Sequence, residues 1–167
     1  MSKQEKTAAI AYQAYRNIDF INKYRSIYPK YFFDIDSIMK KMDKRENLKI
    51  LKELGYNFKI FTPGQHYNYE EKYGNVKLVL SSQISGGIIT PYIYIYVNDE
   101  NIDYKFNYEQ NLGFVYKKMT NDYEQIVNAL LFRNFDDFRN AMLDIISIYE
   151  DFKVEFLKLL KENGLLE

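Results

Sequence analysis

The sequence predicts an α+β domain: an antiparallel β-meander of four to five strands, packed by N-terminal helices and a long C-terminal helix. Two observations carry this. Apolar residues recur at spacings of three and four up to Leu54 and again after Asn121, the helical period, whereas between Tyr56 and Val97 they alternate with other residues, the strand period. The order of the two periods, helices, then sheet, then helices, places helices over an antiparallel sheet rather than in βαβ units.

The first helix is expected from about Glu5 to Tyr28, where Ala11, Ala14, Ile18 and Ile21 form a stripe widened by Tyr15 and Tyr24, and Pro29 ends the run. A short helical turn at Asp34 or Asp36 would carry Ile38, Met39 and Met42. Asp43 and Glu46 stand at capping-box spacing, and Leu48, Ile50, Leu51 and Leu54 run from them to Gly55 as the C-terminal cap. Strands follow at Tyr56–Ile60 and Val76–Leu80, joined by the long polar loop TPGQHYNYEEKYG. A third strand runs from Ile89 to Val97, and a four-residue turn over 98–101 leads to a fourth from Ile102 to Phe106. Leu112 to Tyr116 is expected as a fifth short strand. Asn121 with Glu124 forms another capping-box pattern, ahead of a helix with Ile126, Val127, Leu130 and Leu131 on its apolar face. After a break at Asn134, the residues Phe135, Phe138, Met142, Ile145, Tyr149, Phe152, Phe156 and Leu159 form the seam of a helix about 42 Å long at about 1.5 Å per residue. Asn163-Gly164 stops it. The seam needs an equally long apolar partner, and the first helix, with small residues at Ala11 and Ala14 to admit its phenylalanines, is expected to supply it in the same chain.

At 167 residues the chain has the size of one domain, taken over 1–167. Its 47% hydrophobic and 28% charged residues are those of a globular protein that buries a real core. The absence of cysteine removes disulfides, thiol nucleophiles and thiolate metal sites together. The start MSKQEKTAAIAYQAYRN has no apolar stretch of signal-peptide length, and no run approaches a membrane span, so a cytoplasmic location is the expectation. The net charge is zero but unevenly spread: residues 1–59 hold 13 Lys/Arg against 7 Asp/Glu, residues 60–167 hold 10 against 16. The two halves either pair with one another on folding or present surfaces of opposite sign to different partners.

His66 is the only histidine, so imidazole chemistry is built around it or not at all; Glu70 and Glu71 follow it closely, but no nucleophile or oxyanion pattern accompanies it. An exposed loop histidine is the expectation, with a small enzyme centred on it as a minor alternative. Gly86-Gly87 reads as a tight connection between strands rather than a phosphate-binding loop, which would need further glycines or a helix start. The carboxylate pairs Asp34/Asp36 and Asp136/Asp137 cap helices. Neither a cofactor nor a metal site is expected. The cations Lys40, Lys41, Lys44, Arg45, Lys49 and Lys52 around one helix, near several tyrosines, are the footprint that nucleic-acid binding would use, although a pI near 6.6 is low for a dedicated binder.

The stretch PYIYIYV alternates Tyr92, Tyr94 and Tyr96 with Ile93, Ile95 and Val97, so a strand there puts every phenol on one face and every aliphatic on the other. With helices over one face only, the tyrosines face outward; with helices over both, they fill a second packing layer. Outward tyrosines, joined by Asp99, Glu100 and Asp103 at the following turn, would form an aromatic and acidic edge suited to a protein partner. In TPYIYIYVNDENIDYKF and the acidic helical tail from Asn121, the chain resembles the bacterial immunity proteins of polymorphic or contact-dependent toxin systems. The resemblance implies a stoichiometric, non-enzymatic inhibitor that binds a cognate toxin domain, commonly a basic nuclease, in a stable 1:1 complex. Nucleic-acid binding through the basic N-terminal helices is the alternative from another class.

Overall fold

The computed structural model describes residues 1–41, 43–61, 63, 65–123 and 128–167. Among them lie the helices α1 (Lys3–Asn17), α2 (Phe20–Ile27), α3 (Lys44–Glu53), α4 (Leu112–Thr120) and α5 (Phe135–Glu162). The strands are β1 (Lys59–Phe61), β2 (His66–Tyr73), β3 (Val76–Ser85), β4 (Ile88–Val97), β5 (Glu100–Ile102) and β6 (Leu130–Leu131). They form one antiparallel sheet in the order β1-β2-β3-β4-β5, with β6 paired to the start of β4. The α+β class and the meander are therefore those expected from the sequence.

One face of the sheet makes the core. Leu78, Leu80, Ile84, Ile89, Ile93, Ile95, Val97 and Ile102 point to that side and share a single apolar cluster with residues from all five helices. α5 lies lengthwise on α1: Ala11 and Ala14 are fully buried, and the Tyr15 ring stacks on Phe152 at 4.5 Å. Small residues let the two backbones approach there, but α1 has 15 residues against 28 in α5, so the expected partner of equal length is replaced by α1 together with α2 and α3. The buried Tyr15 and Tyr108 hydroxyls stand 3.2 Å apart, and Tyr108 donates to the Ile93 carbonyl at 2.9 Å, tying α1 to the sheet without leaving a phenol unsatisfied.

Several boundaries differ from the sequence reading. The expected single helix to Tyr28 is broken at Asp19, which sits in the left-handed region (φ 57°), so α2 starts in a new direction; a short polar residue tolerates that conformation better than most. A 3-10 turn, Tyr28–Tyr31, follows. At Asp34 there is one hydrogen-bonded turn, Ser37 N–H to the Asp34 carbonyl, rather than a helix; Met42 lies outside the described residues. The predicted polar loop is mostly strand. β2 hides its alternation because its core-facing set, Tyr67, Tyr69, Glu71 and Tyr73, is amphipathic rather than aliphatic. The β4–β5 turn is two residues, Asn98 and Asp99, both with positive φ, and the expected fourth strand ends at Ile102 in favour of a 3-10 turn, Tyr104–Phe106.

The two remaining corrections exchange helix for strand. Leu112–Tyr116 is not a strand but the start of α4, nucleated by the Asn111 side chain accepting from Phe114 N–H. Leu130 and Leu131, expected on a helix, pair with Ile89 and Ile88 as β6; Glu124, Ile126 and Val127 lie outside the described residues, as do Thr62 and Gly64. α3 and α5 have the predicted bounds, with Asp43 and Asn134 accepting from the backbone N–H three residues on.

Candidate functional site

The face of the sheet opposite the helices carries Lys59 and Phe61 from β1, His66, Asn68, Glu70 and Lys72 from β2, Lys77, Val79, Ser81 and Gln83 from β3, Thr90, Tyr92, Tyr94 and Tyr96 from β4, and Asn101 from β5. These positions follow from register, because side chains on one face recur every second residue and meet their partners directly across the ladder. Tyr92, Tyr94 and Tyr96 are half-buried and stand outside the apolar cluster that the helices build. The outward placement is the one found.

The tyrosines are ordered by one another and by the floor beneath them. The Tyr92 and Tyr94 rings are parallel within 4°, with centroids 5.6 Å apart, and the Lys77 ammonium sits 4.4 Å from the centroid of Tyr96. Val79 lies opposite Tyr94 and Ser81 opposite Tyr92, and both are buried although no described helix covers them. The aromatic row roofs its own floor. Burial, reinforced by the flanking phenols, pushes the Tyr94 hydroxyl up to about 12. Burial and then Glu70 raise that of Tyr96.

The acidic residues expected beside the tyrosines are placed elsewhere. Asp99 is at the exposed tip of the β4–β5 turn. Glu100 pairs with Val97, on the helix side of the sheet, and accepts from the Gln4 amide of α1 at 2.6 Å. Asp103 caps the following 3-10 turn by accepting from Lys105 N–H. The structure brings the three tyrosines together and does not bring these three carboxylates to them. What joins the tyrosines instead are Lys77 and, across from it, Lys72, with Lys59 farther along the same face; Lys72 is placed there only once YNYEEKY is read as a strand.

His66 is on the same face, its ring centroid 6.1 Å from Tyr92 and its Nδ1 3.4 Å from the hydroxyl of fully buried Ser81. Glu71 turns to the opposite face, where it accepts from Tyr149 at 2.6 Å and Lys153 at 2.9 Å. A serine with no exposed surface offers no nucleophile to a substrate, and among the described residues no carboxylate is bonded to the imidazole. No group of three metal-ligating side chains occurs among them either. The cations Lys40, Lys41, Lys44, Arg45, Lys49 and Lys52 are all exposed, the last four on α3. No helix among the described residues is long and apolar enough to cross a membrane.

No protein-family model, curated protein or solved structure matches this chain.

Proposed function

We propose that this chain is a protein-binding inhibitor that meets its partner through the tyrosine face of the sheet, in the manner of an immunity protein that neutralises a cognate bacterial toxin in a stable 1:1 complex. The observation that supports this most is the row of Tyr92, Tyr94 and Tyr96, half-exposed on a face that no described helix covers. Tyrosine gives a large, rigid contact area with a polar tip and loses little conformational entropy on binding, which is why it recurs at the centres of protein interfaces. The three long strands β2, β3 and β4, about 4.8 Å apart with about 3.3 Å per residue, give the face a continuous central platform, and the short strands β1 and β5 extend its edges.

The test is co-expression with the toxin domains encoded beside this gene, followed by purification of a 1:1 complex. Tyr94→Ala should weaken that complex by at least about tenfold, as removal of a central aromatic anchor does, and should release the toxin's activity in the mixture. The reading falls when no neighbouring product forms a stable complex, or when Tyr94→Ala binds as tightly as the parent protein.

A further inference from the structure

Lys72 and Lys77 are directly opposite one another in the β2–β3 ladder, with Tyr96 opposite Lys77 on the far side. Like charges at directly opposed positions destabilise a sheet, and an acidic residue in either place would remove the repulsion. Elsewhere the molecule pairs charges across elements: Lys23 with Asp151, Lys30 with Asp144, Arg139 with Glu53, and Lys153 with Glu71. All of these pairs join a helix or its flanking turn to another element on the helix side. On the open face, by contrast, neither Lys59, Lys72 nor Lys77 has an ion-pair partner among the described residues, and Glu70 is the one carboxylate that shares the face.

We infer that the open face docks an acidic protein surface, with a partner carboxylate seated between Lys72 and Lys77 beside the Tyr96 ring. The inference rests on the reading of the tyrosine face as an interface and adds the chemistry of what covers it. A carboxylate there relieves the lysine–lysine repulsion and takes charge-assisted hydrogen bonds from both ammonium groups. Lys77 is already held over Tyr96, so little side-chain freedom remains for it to lose on binding. The partner is a protein rather than a nucleic acid because the cations are few. Three lysines offset by one glutamate do not make the phosphate-tracking stripe of a nucleic-acid groove, whereas three adjacent tyrosine hydroxyls match the mixed donors and acceptors of a polypeptide.

Poly-L-glutamate at low salt is the probe, titrated into the ¹⁵N-labelled protein, with a (dT)₂₀ oligonucleotide in parallel. Polyglutamate should shift the amides of Lys72, Lys77 and Tyr96 first, and its affinity should fall steeply with added salt. Lys72→Glu, which converts the like-charged pair into an opposite one, should melt at or above the parent temperature and bind polyglutamate at least about tenfold more weakly. Lys77→Gln gives the same loss of binding and serves if Lys72→Glu misfolds. Unchanged binding by a folded variant overturns the inference. So do shifts centred on Lys44 to Lys52 of α3, or tighter binding of the oligonucleotide to the face. Failure here is separable from failure of the interface itself: a toxin domain whose complex is weakened by Tyr94→Ala but not by Lys72→Glu leaves the tyrosine interface standing and removes the acidic partner.

Discussion

Glu71 shows how one residue type serves opposite ends on the two faces of β2. Its carboxylate accepts from the Tyr149 hydroxyl and from Lys153, and Lys153 also pairs with Glu150 at 2.7 Å, to which the Tyr56 hydroxyl donates at 2.8 Å. Burial alone raises the pKa of Glu71, but the Tyr149 hydroxyl and the Lys153 ammonium outweigh it and hold the value below the ordinary 4.5. A carboxyl depressed in the folded state contributes stability that is fully present above 4.5 and is lost as pH falls through its folded value. Glu71→Gln should therefore cost roughly 1 kcal/mol at neutral pH, a figure discounted for a site partly open to solvent. The gap between parent and variant, measured by urea unfolding, should narrow once pH drops below 4.5. A gap that stays constant into strong acid means that Glu71 is not held ionised by this network. The neighbouring Glu70, one residue along and on the other face, has no part in it.

At the level of elements, Gly87 is the point where three segments meet. Its carbonyl accepts from Phe132 N–H at 2.8 Å, and the Phe132 carbonyl accepts from Met39 N–H at 3.0 Å, so the β3–β4 turn, the chain after β6 and the loop before α3 are stitched together there. A Cβ on Gly87 would stand 2.5 Å from the Phe132 carbonyl oxygen and 2.7 Å from the Met39 nitrogen. Both are backbone atoms that cannot turn aside. Gly87→Ala should therefore cost about 1–3 kcal/mol and speed hydrogen exchange at the Phe132 and Met39 amides, whereas a variant with the parent's melting temperature would show that the junction is pliable. Gly86-Gly87 as a tight strand connection was legible in the sequence; the close approach behind it was not, because it depends on segments 48 and 45 residues away. The same distinction runs through the other elements. α3 and α5 were legible because caps and apolar period agree locally. β2 was missed because tyrosine and glutamate do the work of aliphatics on its inner face. α4 and β6 were exchanged because short apolar runs fit either period, and β6 exists only through its pairing with β4. Of the candidate site, the tyrosine row was readable from one strand, while its lysines required the β2–β3–β4 register.

Over the whole molecule, part of the uneven charge of the sequence is paired between its two halves. Lys3, Lys23 and Lys30 of the basic half pair with Glu167, Asp151 and Asp144 of the acidic half, and each pair ties the N-terminal helical region to α5 or the residues after it. These exposed pairs add little stability individually and chiefly fix how α5 lies on its neighbours. The stability comes from the seam beneath them. Phe138, Met142, Ile145, Tyr149, Phe152 and Phe156 are buried within one chain against the sheet and the N-terminal helices, and Ile145 is 1% exposed. Ile145→Asp places a carboxylate there without a partner, at a cost of roughly 3–5 kcal/mol, comparable with the whole stability of a marginal domain. Because α5 packs on α1 and on the helix side of β2, its loss opens both layers at once. The variant should lose its cooperative melting transition and aggregate, and partner binding should fail only as a consequence. Circular dichroism melting and sedimentation velocity together decide it. An Ile145→Asp protein that melts like the parent but loses self-association would mean that the seam closes on a second copy of the chain, and the intramolecular α1–α5 packing would then not be the arrangement in solution.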